Sequence, residues 1–239
     1  SLGNTSRALA LWQRVANRFG DDQESALAIA DLLEKEERWL ELRDHLHEYS
    51  LSVEEDKQRT ILIRAAGVEL LRLNDAPAAV NSFAKARAWA EALGVVENTA
   101  EVADRAQVAL GLIELADAAW KAGDTQAEPI SFHAILINAR CSLPGVESMT
   151  DATVDLAQST KLVRRVTQVR DRLVSASERP FARERRRALL LEAARVTAGW
   201  LREPLESIRL FATLFAEDPI DGAAEQSFAE YSELLQSQG

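Results

Sequence analysis

The side chains with the most obvious chemical potential in this chain are three histidines and one cysteine, and their spacing predicts no shared site. His45 and His47 are two positions apart, so on a helix they would point about 200° apart and could not bind one metal ion. His133 has no acidic or histidine neighbour three or four positions away, and Cys141 follows it eight residues later. We interpret the histidines as solvated or capping side chains, and we expect no metal and no cofactor.

Motifs that carry catalysis are missing from the sequence. It contains no glycine-rich nucleotide loop, no P-loop, no GxSxG nucleophile turn and no HExxH zinc motif. Asp21 and Asp22 follow Gly20 in a pattern typical of a helix N-terminus, where acids favour the helix dipole. The single cysteine permits no internal disulfide. We therefore predict no catalytic residues, and we do not expect the chain to be an enzyme.

Charge is unevenly distributed along the sequence. The net charge of −10 argues against a dedicated nucleic-acid binder, whose domain would be basic. Residues 21–56 hold 13 acidic against 3 basic side chains, whereas residues 161–187 hold 10 basic against 3 acidic. Two interpretations stay open: solvated faces with intrahelical ion pairs, or a basic segment that docks an acidic partner or the acidic end of a second copy. In the basic segment, the candidates for contact with a partner are Arg185, Arg186 and Arg187.

Composition predicts an all-α chain. Alanine, leucine, glutamate and arginine predominate, with 10 glycines and 6 prolines in 239 residues, and no long segment alternates apolar and polar residues. Apolar runs such as residues 188–194 are too short to cross a membrane. The chain starts at Ser1 and its only methionine is Met149, so we expect a fragment of a longer protein. A cytoplasmic location is the expectation from the cysteine content.

A short polar break predicts a pair of helices in the region around Gly67. The first helix is expected over about residues 60–73 and carries Gly67 on its inner face. Asp75 is the predicted N-cap of the second helix, with Pro77 in its first turn. That helix is expected to run to about Leu93. We expect the small residues in both helices to allow close approach of the two backbones, with large side chains filling the space opposite.

This pair resembles the tetratricopeptide repeat family by residue type and spacing. The matching positions are Gly67, Leu70, Ala79, Phe83 and Ala86, and a second copy near the C-terminus matches at Ala194, Phe211 and Pro219. The first copy departs from the family at two positions, because Ile63 replaces its tryptophan and Glu91 its closing proline. The resemblance covers residues 6–93 and 187–237. It implies antiparallel helix pairs stacked as a right-handed α-solenoid.

The resemblance also implies a concave groove that binds a peptide or a partner helix. The residues expected to be exposed there are Arg64, Val68, Leu71 and Arg72 in the first copy and Leu191, Arg195 and Ala198 in the second. The implied function is a non-catalytic scaffold or adaptor for protein–protein interaction. The alternative is a regulatory domain that binds a small ligand or peptide, with an apolar pocket lined by Trp120 and Phe132. We expect residues 1–145 to hold helix pairs with an acidic N-terminal end. We expect residues 146–239 to hold a long basic helix, a further helix pair and a closing helix, continuous with the first part.

Overall fold

The computed structural model describes residues 7–12, 14, 23–143 and 156–236, and every regular element in that part of the chain is helical. The prediction of an all-α, repeat-like fold is therefore confirmed. Within residues 23–98 and within residues 156–236, consecutive helices pack against each other and are joined by short turns, so these neighbours run antiparallel. The helices are α1 (Gln23–Lys35), α2 (Trp39–Ser50), α3 (Glu55–Leu71), α4 (Ala76–Lys85), α5 (Trp89–Asn98), α6 (Val102–Lys121), α7 (Ala127–Ser142), α8 (Leu156–Ser177), α9 (Arg183–Val196, continued by a π-helical turn, Thr197–Leu201), α10 (Pro204–Glu217) and α11 (Gly222–Gln236).

Several helices end in the same type of turn. The amide N–H of Arg38 donates to the carbonyl of Leu33 at 2.9 Å, and Ala88 donates to Phe83 at 2.8 Å. Such bonds, spanning six residues, satisfy carbonyl groups that a helix end would otherwise leave unpaired. They require one residue with positive φ, found at four non-glycine positions: Glu37, Asn74, Arg87 and Arg202. The turn reverses the chain within three residues after α1 and after α4.

Contacts between alternate helices recur at a nearly constant separation in sequence. Several hydrogen bonds that involve a side chain join residues 32 to 35 positions apart, among them those of Gln23 with Lys57 and of Arg195 with Ser227. Helices α1, α3 and α5 begin at residues 23, 55 and 89, which are 32 and 34 positions apart. Helices α1 and α3 run parallel, because Gln23 meets Lys57 while Asp31, further along, meets Arg64. The structural repeat is thus a helix pair of about 34 residues, the length of a tetratricopeptide repeat unit.

The described helices group into two compact units. The first unit lies within Ser1–Ala100 and Gly111–Ile130, and the second within Glu101–Leu110 and Ser131–Gly239. The first unit has a core that includes Ala30, Leu33, Leu42 and Leu46. The second unit buries Leu173, Leu189, Phe211 and Leu214. The predicted division between residues 145 and 146 lies outside the described residues and stays a prediction.

The predicted helix pair around Gly67 is present with shifted ends. The first helix is α3, and the Asp75 cap is confirmed, because its carboxylate accepts from the amide of Ala78 at 3.0 Å. The second helix ends at Lys85, so the expectation that it runs to Leu93 is wrong. Arg87 adopts a φ of 51°, which stops α4 and lets α5 begin at Trp89. Arginine gives no sequence signal for such a turn, whereas glycine would.

Gly67 does not mark a close approach between helices, and that part of the prediction is wrong. A Cβ atom at Gly67 would meet nothing within 4 Å, and the residue is half-exposed on α3. The glycine at which a side chain would collide with another helix is Gly199, in the π-helical turn. A Cβ atom there would lie 3.1 Å from Cε1 of Tyr231, so the ring of α11 packs directly on the α9 backbone.

Substituting these two glycines with alanine should therefore give opposite results. Gly67→Ala should raise the free energy of unfolding by about 1 kcal/mol, because alanine favours the helix and has room. Gly199→Ala should lower it by about 1 kcal/mol, because overpacking against Tyr231 exceeds the gain in helix propensity. Thermal and denaturant unfolding would measure both. The double variant Gly199→Ala, Tyr231→Ala should lose the clash, and equal stabilisation by the two single alanines would contradict the packing described here.

Candidate functional site

The predicted groove residue Arg64 lies on α3 and is held by two carboxylates of α1. Its Nη2 donates to Oδ1 of Asp31 at 3.0 Å and to Oε2 of Glu34 at 2.6 Å. Burial opposes the charge of this guanidinium, but the hydrogen bonds to Glu34 and Asp31 prevail and raise the pKa of Arg64 above its ordinary value. Arg64 therefore joins two parallel helices, and its hydrogen-bonding capacity is partly used within the chain.

The remaining three residues of the predicted groove set have different environments. Val68 is buried in the core of the first unit, so the expectation that it is exposed is wrong. It belongs to the same buried cluster as Ala65 and Ile61, one and two turns earlier on α3. Leu71 is 78% exposed. Arg72 is exposed, and its guanidinium lies 4.7 Å from the centroid of the Trp39 ring, which is a cation–π distance.

A single surface of the first unit unites the accessible members of this set. We call it the α1–α3 face, defined by Leu27 and Asp31 on α1 and by Arg64, Gly67 and Leu71 on α3. On α3 the three residues follow at spacings of three and four, so they share one side of the helix. Leu27 and Leu71 are exposed apolar side chains, and Gly67 leaves open space between Arg64 and Leu71. The face therefore combines two exposed apolar side chains, open space at Gly67 and one ion-paired cation.

The C-terminal residues predicted for the groove are mostly occupied in packing. Ala198 is fully buried, so the expectation that it is exposed is wrong, since the π-helical turn places it in the core of the second unit. Leu191 is half-buried. Arg195 donates from Nε to Oγ of Ser227 at 3.0 Å and lies 3.7 Å from Glu192. This arginine links α9 to α11.

The three consecutive arginines of α9 do not form one surface. Arg187 is buried and donates to the carbonyl of Leu214 at 2.9 Å and to the carboxylate of Asp221. Arg185 is half-buried and bonded within the chain, whereas Arg186 is exposed. Consecutive residues on a helix point about 100° apart, so three adjacent cations cannot face one partner. Arg187 is a structural residue, and its proposed contact with a partner would require it to leave the core.

A buried polar cluster in the first unit, formed by His47, Glu69 and Ser82, was not predicted from the sequence. Nε2 of His47 lies 2.8 Å from Oε1 of Glu69 and 3.4 Å from Oγ of Ser82. The Glu69 side chain is only 3% exposed, and its Oε2 has no hydrogen-bond partner. His45 on the opposite side of α2 bonds the carbonyl of Ala26 at 2.8 Å. The interpretation of His45 and His47 as solvated or capping is therefore wrong, because both bond residues of other helices.

The geometry of this cluster favours a structural role. In a hydrolytic triad the two imidazole nitrogens serve different partners, one the acid and one the nucleophile. Here the carboxylate of Glu69 and the hydroxyl of Ser82 both lie next to Nε2 of His47, so the nitrogen cannot take a proton from serine while donating one to glutamate. Within residues 7–12, 14, 23–143 and 156–236, no group of three or more His, Cys, Asp and Glu is arranged to hold a metal ion.

The pocket expected for a small ligand has no described counterpart with apolar walls. Phe132 is buried, with its ring edge-on to Phe181 at 6.2 Å between centroids, and it belongs to the second unit, whereas Trp120 belongs to the first. A cavity of about 470 Å³ in the second unit has charged walls that include Arg170 and Glu203. None of the described helices is both long and apolar enough to pass through a membrane.

The comparisons with known proteins assign this chain to no family. No family model matches the chain, and no curated protein matches it. A solved structure of the C-terminal part of a TPR repeat-containing protein from Cytophaga hutchinsonii covers 94% of both chains, at 10% identity and a TM-score of 0.32. A likeness at this level supports neither a shared fold nor a shared function.

The His47–Glu69 pair yields a prediction about stability. His47→Leu should lower the free energy of unfolding by about 3 kcal/mol, because it leaves the buried Glu69 carboxylate without its partner. The double variant His47→Leu, Glu69→Met should recover most of that loss, since both polar groups are then removed together. Denaturant unfolding of the single and double variants would measure the coupling. A double variant less stable than His47→Leu would show that Glu69 has another essential contact.

Asp221 yields a prediction about pH. The hydrogen bond from Arg187, assisted by the amides of Ala224 and Ala223, outweighs burial and lowers the pKa of the Asp221 carboxyl. A carboxyl with a lowered folded-state pKa stabilises the fold above its unfolded pKa of about 3.9 and loses that contribution as pH falls through the folded value. Asp221→Asn should thus be less stable than the natural chain at pH 7.

The difference in unfolding free energy between the natural chain and Asp221→Asn should shrink below about pH 4. Denaturant titrations over that range would follow it. The matched control is Glu225→Gln, which removes one exposed carboxylate from the same first turn of α11 and should change stability little. A difference that stays constant into acid would show that the charge of Asp221 contributes nothing.

Proposed function

We propose that this chain is a non-catalytic protein–protein interaction domain built from tetratricopeptide-like helix pairs. The observation that carries the proposal is the α1–α3 face, where two parallel first helices lie side by side with open space at Gly67. Parallel first helices are the elements that form the binding groove in the family that the sequence resembles. The repeat length of about 34 residues is in keeping with that resemblance.

The chemistry of the α1–α3 face suits a short peptide or a partner helix. Leu27 and Leu71 offer exposed apolar contacts, which contribute most of the affinity in a helix-groove complex. Arg64 is already paired with Asp31 and Glu34, and such fixed pairs set the orientation of a ligand more than its affinity. The face is formed before binding, so little conformational entropy is lost when a partner docks.

The test is to fill the space at Gly67. Peptides that bind the natural chain would be selected from a random displayed library and measured by fluorescence anisotropy. Gly67→Trp should weaken their binding at least tenfold, because the indole would fill the open space between Arg64 and Leu71. The matched control is Gly111→Trp, since Gly111 is also half-exposed within a helix and has nothing within 4 Å of its Cβ position.

Circular dichroism and the unfolding midpoint would establish that both tryptophan variants are folded. Selected peptides that bind Gly67→Trp as well as they bind the natural chain would contradict the proposal. The same holds if the selection yields no peptide that binds with a measurable dissociation constant.

A further inference from the structure

We propose that an exposed row of cations on α8 binds an acidic segment of another protein. We call this surface the α8 cationic row, defined by Lys161, Arg164, Arg165 and Arg172. All four residues are exposed. The row belongs to the second unit and shares no residue with the α1–α3 face, so either proposal can fail while the other stands.

The four cations lie on one side of the helix. Successive residues rotate by about 100°, so positions 161, 164, 165 and 172 fall within an arc of about 100°. The rise of about 1.5 Å per residue spreads them over about 16 Å, three turns of helix. Gln168 is exposed on the same side, between Arg165 and Arg172. The row therefore has three cations in its first turn, at positions 161, 164 and 165, and a fourth about two turns further along at position 172.

None of the four cations has a carboxylate within helical reach. No acid lies three or four positions from Lys161, Arg164, Arg165 or Arg172, and none of the four forms an ion pair with another described residue. Lys161 repels Arg164 and Arg165, which follow it at spacings of three and four. The row therefore costs the isolated chain stability.

Several other arginines of the second unit form ion pairs within the chain. Arg170, on the opposite side of α8, pairs with Glu203 at 2.7 Å and Asp171 at 2.8 Å. Arg187 pairs with Asp221, and Arg209 lies 3.4 Å from Glu206 one turn away. These three arginines are paired within the fold, whereas the α8 cationic row forms no ion pair with a described residue. Arg186 and Arg202 are also exposed without such a pair, and they lie outside α8. Residues that break a local rule without an internal gain mark a surface whose counter-charge comes from outside.

An acidic polypeptide fits this row better than other anions do. Arginine binds carboxylates through two parallel hydrogen bonds, and a helix with glutamates at matching spacing would meet the row along its length. Single-stranded nucleic acid is usually bound by aromatic side chains that stack on the bases as well as by cations, and residues 156–177 contain no aromatic residue. Among residues 160–177 of α8, Val163 is the only exposed large apolar residue, and it lies on the side away from the row, which disfavours insertion into a membrane surface.

A second copy of this chain is also a poorer occupant. Four carboxylates of the acidic region are already paired within the first unit: Asp31 and Glu34 with Arg64, Glu41 with Arg38, and Asp44 with Arg43. Docking there would exchange existing ion pairs for new ones with little net gain. Other acids of that region, among them Glu24, Glu48 and Glu54, are exposed. We take a different acidic protein as the partner, and light scattering distinguishes it from a second copy.

The test uses the 239-residue chain and a labelled, alanine-rich helical peptide whose four glutamates repeat the spacing of the cations. Replacing all four cations of the row with glutamine should weaken binding about tenfold or more at about 50 mM salt. The matched control replaces four exposed cations elsewhere, Lys35, Arg59, Lys85 and Lys121, with glutamine and should bind like the natural chain. A peptide of the same composition with its glutamates dispersed should bind more weakly.

Four results would overturn the proposal. The first is an equal loss of affinity in the row variant and the control variant, and the second is equal binding of the ordered and dispersed peptides. The third is tighter binding of a single-stranded RNA, or of vesicles containing phosphatidylserine, than of the peptide. The fourth is a salt-sensitive dimer in light scattering that the row variant abolishes. Because the row carries internal repulsion, the glutamine variant should unfold at the same temperature as the natural chain or at a higher one, and loss of helical circular dichroism would also contradict the assignment.

Discussion

The structure depends on how each helix is stopped. A helix end leaves four carbonyl groups without intrahelical partners, and the tight turns of this chain satisfy some of them with bonds that span six residues. Each such turn requires a residue with positive φ, and it sets the direction of the next helix. The turns after α1 and α4 each take three residues and are followed by Trp39 and Trp89 as the first residue of a new helix. The regular reversal of the chain follows from this constraint.

Once the helices alternate in direction, every second helix is parallel, and charged side chains can join the two at a fixed separation in sequence. Arg64 joins α3 to α1 in this way, and Arg187 joins α9 to the first turn of α11. The arginine content is therefore partly an architectural feature. It also explains why the charge of a segment is a poor guide to its free surface, since Arg187 is buried while Arg186, one residue earlier, is exposed.

The same packing buries a polar group, the Glu69 carboxylate, with one oxygen bonded to His47 and the other without a hydrogen-bond partner. Glu69 is buried against α2, and its one hydrogen bond to His47 is a contact between residues 22 positions apart. Breaking it leaves a charge in the core, whereas removing both partners does not. This dependence makes the junction of α2, α3 and α4 specific, and it has no obvious chemical role beyond that.

Helix content and the Asp75 cap could be predicted from the sequence, because they depend on local propensity and on residues a few positions apart. The end of α4 at Lys85 could not, because arginine at the positive-φ position carries no local signal. Tertiary structure alone decided that Val68 and Ala198 are buried and that Arg64 and Arg187 pair with carboxylates. It also decided that His47 bonds Glu69. Each depends on which residue of another helix, 20 to 35 positions away, lies opposite, and that register is set by the packing of whole helices.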